Sequence, residues 1–156
     1  MADLAAEIAS GKLSPVYVLF GEDPLLVDRV LTALRDAVVP AATRAFNFDV
    51  LMAKTAGAAG ILLAAQTLPM LGARRLVVVR DAETLGSEGL EPLRGYLDKP
   101  SPSTVIVLLC AKIDGRLKKL IDKKIENNDL SPEQVAAWLK KREIAISHHT
   151  IYRYVE

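Results

Sequence analysis

The run LLAAQTLPMLGARRLVVV, residues 62–79, changes character twice and decides the fold. Its first part, through Gln66, has the small apolar pattern of a helix. Its last part, Arg75-Leu76-Val77-Val78-Val79, is a short β-branched run that is apolar on both faces, as in an interior strand of a parallel sheet. Between them stands Leu68-Pro69-Met70-Leu71, apolar where a turn is ordinarily polar. A corner of this kind at the edge of a sheet has no evident core of its own, which makes it a candidate for docking on a partner. On the residues alone a second reading stays open, in which Met70 and Leu71 fold back as a satellite of the core.

Outward from that run, strands and helices alternate. Leu4 to Ser10 reads as a short amphipathic helix with Gly11 at its C-cap. Val16-Tyr17-Val18-Leu19-Phe20 is a buried strand, and a helix follows from Pro24 to about Val38, with Asp23 as its N-cap. Phe46 to Val50 alternates, so a more exposed strand is expected there. Ala56 to Gln66 is the helix before the corner, and Glu88 to Asp98 carries a Leu90, Leu93, Leu97 stripe. Thr104 to Leu109 is another interior strand. The pattern predicts an α/β domain with a mostly parallel sheet and flanking helices, closing near Asp114 or slightly later.

Composition narrows the function. The 156-residue chain is 51% hydrophobic and 25% charged with a net charge of +1, so charge alone calls for neither nucleic acid nor a membrane. Its single cysteine, Cys110, sits in an apolar run and reads as a small buried hydrophobe. The N-terminus carries acids before any basic region, unlike a signal peptide, and no run reaches the length of a membrane span. The expectation is a cytoplasmic protein without a membrane partner.

No catalytic, cofactor-binding or metal-binding residues are expected. A phosphate loop would follow the first strand, but Gly21-Glu22-Asp23-Pro24 has one glycine, two carboxylates and no Lys-Ser/Thr pair. After Val79 comes Arg80, with Asp81 one step late for a magnesium-holding carboxylate, so both read as a solvated strand end. His148 and His149 are adjacent and have no Cys or further His beside them, which argues against a metal. The basic stretch from Lys112 to Lys124 reads as a solvated linker, with phosphate contact as the alternative.

The segments VYVLFGEDPLLVDRVLTALRDAV, FNFDVLMA, AAQTLPMLGARRLVVVRDAETL and PSPSTVIVLLCAKIDGRLKK, in that order, resemble the N-terminal domain of the delta subunit of the bacterial DNA polymerase III clamp loader. The resemblance covers about residues 4–120. It implies an AAA+-like fold with a degenerate nucleotide site, no ATPase activity of its own, and a partner, the sliding clamp (beta subunit). It also implies a site: the two adjacent hydrophobic side chains before the strand, here Met70 and Leu71, enter a pocket on the clamp. With Leu68 and Pro69 they form the expected clamp-binding corner. Aromatic residues are frequent there in the family, so Met70-Leu71 is a softer version.

The tail resembles something else. LSPEQVAAWLKKREIAISHHTIYRYVE is similar to the helix-turn-helix region of transposases of the insertion-sequence-thirty family, with an acidic residue more usual at His149. Ser131 is a good N-cap, Pro132 follows it, and a second helix capped by Ser147 is expected to face inward with Ile151 and Val155. The resemblance makes His148, His149, Thr150, Tyr152 and Arg153 candidate DNA contacts. The expected division is residues 1–120 as the delta-like domain and 121–156 as a transposase-derived tail, too small to build a core unaided. A lid and a collar domain are missing from this reading, so assembly into the clamp-loader pentamer is not expected. The first function expected is clamp binding; the alternatives are DNA binding through the tail and an active NTPase of the same fold.

Overall fold

A computed structural model of the chain describes residues 2–20, 24–111 and 151–153. Its elements are α1 (Ala2–Ser10), β1 (Val16–Phe20), α2 (Pro24–Val38), a 3-10 turn at Ala41–Thr43, and α3 (Arg44–Asn47). Then come β2 (Phe48–Met52), α4 (Ala53–Gln66), β3 (Arg75–Arg80), a second 3-10 turn at Ala82–Thr84, α5 (Ser87–Asp98), β4 (Thr104–Cys110) and β5 (Ile151–Arg153). The strands form one sheet in the order β2-β3-β4-β1-β5. The first four are parallel, and β5 lies antiparallel against β1. The α/β class with a mostly parallel sheet is thus what the sequence predicts.

The apolar runs are continuous because both faces of the sheet are covered. Successive strand residues point to opposite faces, and the core divides accordingly. Val16, Val18, Val77, Val79, Ile106, Leu108 and Cys110 pack with Ile61 and Ala65 of α4 and with Leu90, Leu93 and Leu97 of α5. The intervening Tyr17, Leu19, Leu76, Val78, Val105, Val107 and Leu109 pack with Val30, Leu34 and Val38 of α2. Every residue of β4 is buried. The crossover from β1 to β2 travels one way across the sheet, and those from β2 to β3 to β4 travel the other. Right-handed crossovers therefore place α2 on one face and α4 with α5 on the opposite face, in agreement with the two clusters.

Three expectations need correction. The second strand begins at Phe48, not Phe46, because Phe46 and Asn47 close α3 and the Asn47 side chain is taken up by a distant contact. The helix before the corner starts at Ala53 but is broken at Gly57, whose φ of 62° and ψ of 177° only glycine adopts readily. In the tail, the second helix expected to face inward with Ile151 is not formed there: residues 151–153 are strand β5. Ile151 lies opposite Leu19, Tyr152 opposite Val18 and Arg153 opposite Tyr17. Without a neighbour, β1 would be an apolar strand with an open edge, and β-branched and aromatic residues suit such pairing. The first helix of the tail, Val155, and the Lys112 to Lys124 stretch lie outside the described residues.

Two tyrosines, one in each half of the core, brace the amino end of the sheet. The Tyr17 hydroxyl accepts a bond from the Ser14 N–H (2.9 Å) and donates to Glu7 Oε2 (3.1 Å), tying α1 to β1. The Tyr96 hydroxyl donates to the Ala65 carbonyl (3.3 Å) and accepts from the Ser101 N–H (3.3 Å), tying α4 and α5 to the turn before β4. Burial pushes both phenols above their ordinary value of 10.0; hydrogen bonds offset this in part, as does the Arg74 charge for Tyr17. A raised phenol pKa contributes stability that is complete below the unfolded value and is lost as pH rises through the folded one. The free energy of unfolding should therefore fall as pH climbs past 10.0, and a Tyr17→Phe/Tyr96→Phe variant should show a shallower fall. Urea denaturation on either side of that pH measures both slopes.

Candidate functional site

Helix α4 ends at the corner under its own cap. The Thr67 N–H reaches the carbonyls of Leu63 (3.1 Å) and Ala64 (3.3 Å), and its hydroxyl donates to the Leu63 carbonyl (2.6 Å). Pro69, two residues further, cannot continue the helix. The chain must then turn through residues 68–74 before Arg75 enters β3, whose N–H donates to the Ser103 carbonyl beside β4 (2.8 Å).

The structure brings Leu68, Pro69, Met70 and Leu71 together on the outside of this turn. Leu68 exposes 75% of its surface, Met70 56% and Leu71 80%, while Pro69 is half-buried. Met70 and Leu71 therefore do not fold back onto the core. Leu63, on the last turn of α4, is also exposed. Fully burying each such side chain in a partner would contribute about 1.5–3 kcal/mol.

The backbone of the corner is held from beneath. Asn47 is buried and uses both ends of its carboxamide on one residue: Oδ1 accepts from the Met70 N–H (2.7 Å) and Nδ2 donates to the Met70 carbonyl (2.7 Å). Gly72 packs so closely on this amide that a Cβ there would stand 2.9 Å from Asn47 Nδ2 and 3.3 Å from Thr43 Oγ1. Between them Leu71 adopts a left-handed backbone with φ 56°. That conformation costs a branched residue on the order of 1–2 kcal/mol. Arg75, mostly buried, completes the support: it donates to the Phe46 carbonyl (2.9 Å) and pairs with Asp49 of β2.

Little in the local sequence marks Asn47 or Gly72. An asparagine inside an apparent strand is a weak β-former, and that mismatch is the one available signal.

The other candidates are not brought together with this corner. Tyr152 and Arg153 lie on β5, a strand and not a recognition helix, whereas His148, His149 and Thr150 lie outside the described residues. Gly21, Glu22 and Asp23 also lie outside them. At the end of β3, Arg80 is exposed and reaches Asp28 at 3.8 Å. Asp81 takes φ 53°, and its carbonyl accepts the Thr84 N–H (2.9 Å) and hydroxyl (2.7 Å), so it makes a turn. Cys110 is buried at the end of β4. Among the described residues, no group of three His, Cys, Asp or Glu could hold a metal ion, and no helix is long and apolar enough to cross a membrane.

The family model for DNA polymerase III, delta subunit, matches residues 17–131, a span that includes the corner, β2, β3, β4 and all of β1 but Val16. The chain belongs to this family. It is 31% identical over 126 residues to DNA polymerase III subunit delta of Bacillus subtilis, an alignment that covers 74% of this chain and 36% of that protein. The solved structure of the Bacillus subtilis DNA clamp loader delta protein superimposes with a TM-score of 0.70 at 30% identity, covering 78% of this chain and 40% of that one. A DNA polymerase III gamma subunit-related protein of Thermotoga maritima shares the fold, with a TM-score of 0.58 at 16% identity over 92% of this chain and 51% of that one. The chain thus spans well under half the length of the delta proteins it matches.

The left-handed Leu71 gives the corner a distinctive response to glycine. Leu71→Gly removes the strain but loosens the unfolded chain, so stability should stay level or rise by up to about 1 kcal/mol. Leu68→Gly, at an exposed position without a positive φ, should lower it by about 0.5–1 kcal/mol. Parallel denaturant titrations of the two variants check the difference in sign.

Proposed function

We propose that the chain is a clamp-loader component whose working part is a clamp-docking module of the delta type, without nucleotide turnover of its own. The observation that carries the reading is the corner itself: Leu68, Met70 and Leu71 are exposed together on a turn whose backbone is fixed from below. A large apolar side chain left in water at the tip of a braced turn suits insertion into a hydrophobic pocket. Family membership supports the sliding clamp as the partner, and Met70 and Leu71 are the two side chains that would enter it.

Calorimetric titration of the full chain into a purified bacterial sliding clamp tests this. The parent should bind, and Met70→Ala/Leu71→Ala should abolish detectable heat. Both side chains are exposed, so the variant should unfold at the same denaturant concentration as the parent. Absence of binding by the parent, or unchanged binding by the variant, would overturn the reading.

The lack of turnover rests on the residues after β1. Two carboxylates at Glu22 and Asp23 oppose a polyphosphate. Purified chain given ATP and magnesium should release phosphate at the rate of buffer alone; release that scales with protein concentration would reject this part.

The tail's transposase-like origin and the division at residue 120 belong to the same proposal. The family match continues to residue 131, so they rest on the SPEQ and TIYRYV residues alone. Its DNA-binding alternative gains no support from β5, where Tyr152 and Arg153 take strand backbone.

A further inference from the structure

We infer that Asn47 is the positioning residue of the docking corner, with Gly72 as the residue that keeps its carboxamide in place. The inference deepens the clamp-docking reading: it says how Met70 and Leu71 are presented before a partner arrives. Its geometric part stands whether or not the partner is a clamp.

A buried carboxamide needs partners for both its donor and its acceptor. Asn47, with none of its surface exposed, finds them in the N–H and the carbonyl of the same residue, each at 2.7 Å. This pair of hydrogen bonds joins segments 23 residues apart. It replaces the neighbouring strand that Met70 lacks and fixes the peptide planes on both sides of it. Aspartate in that place could accept from the N–H but, when ionised, could not donate to the carbonyl; alanine could do neither.

Gly72 completes the device. A side chain there would push on Asn47 Nδ2 at 2.9 Å. The left-handed Leu71 between the two contacts is then not free to relax, and its side chain stays outside. A corner ordered in advance loses less conformational freedom when it docks, which raises affinity without adding a contact.

Backbone amide exchange followed by NMR on the full chain tests this, beside clamp titrations of the same samples. In the parent, the Met70 amide should exchange on the order of tenfold or more slowly than in an unstructured peptide. In Asn47→Ala and in Gly72→Ala that protection should vanish while Val77 and Val107 in β3 and β4 keep theirs. A general loss of structure would not give this local pattern. Clamp affinity should drop by about tenfold in both variants, although Met70 and Leu71 are intact.

An unprotected Met70 amide in the parent would overturn the inference, as would protection that survives both substitutions. Local loss of protection with unchanged clamp affinity would overturn it too, since Asn47 would then be structural only. If Asn47→Ala does not fold, the parent and Gly72→Ala decide. If the parent does not bind the clamp at all, the docking reading fails, and the exchange data still decide whether Asn47 fixes the corner.

Discussion

Burial of β3 and β4 on both faces is the constraint on which the rest of the structure depends. A strand with apolar residues at every position requires a helical layer above and below it. Here α2 supplies one, and α4 with α5 supply the other. That arrangement requires the chain to return from α4, on one face, to the amino end of β3 within the sheet, and the passage is the corner. The site is therefore produced by the topology: a crossover must turn there, and the residues that make the turn are apolar.

The same topology separates two kinds of surface. The corner leads into the amino end of β3, whereas β1 ends at Phe20 on its carboxyl side. Both strands run parallel to β4, so the corner and the end of β1 at Phe20 stand at opposite ends of the sheet. In open parallel sheets, ligands gather at the carboxyl ends. The corner thus stands at the end of the sheet away from the one where such ligands gather.

Much of this was legible in the sequence where burial on both faces writes an unbroken apolar run. Val16 to Phe20, Arg75 to Val79 and Thr104 to Leu109 are placed correctly for that reason. Phe48 to Met52 is displaced from its expected start because Asn47 answers to Met70, a tertiary partner that no local pattern reveals. The apolar character of Leu68 to Leu71 was visible, but its exposure was not: the same residues could pack inward or outward, and the choice is made by Asn47 and Gly72. In the tail, Ile151 carries helical spacing with Val155, yet the free edge of β1 settles residues 151–153 as strand.

That last pairing has a kinetic consequence. The four parallel strands lie within residues 16–110, while β5 joins β1 from residues 151–153. Zipping Arg153 onto Tyr17 in an unfolded chain would close a loop through almost the entire sequence. Once β1 is paired with β4, the loop still to be closed runs only from Cys110 to Ile151, at a lower entropic cost. Loop closure therefore favours an order in which the parallel sheet assembles first and β5 is added to its edge. Interactions that form after the rate-limiting step slow unfolding and leave the folding rate unchanged. In that order the tail strand is a late latch on the sheet and its pairing lies outside the nucleus.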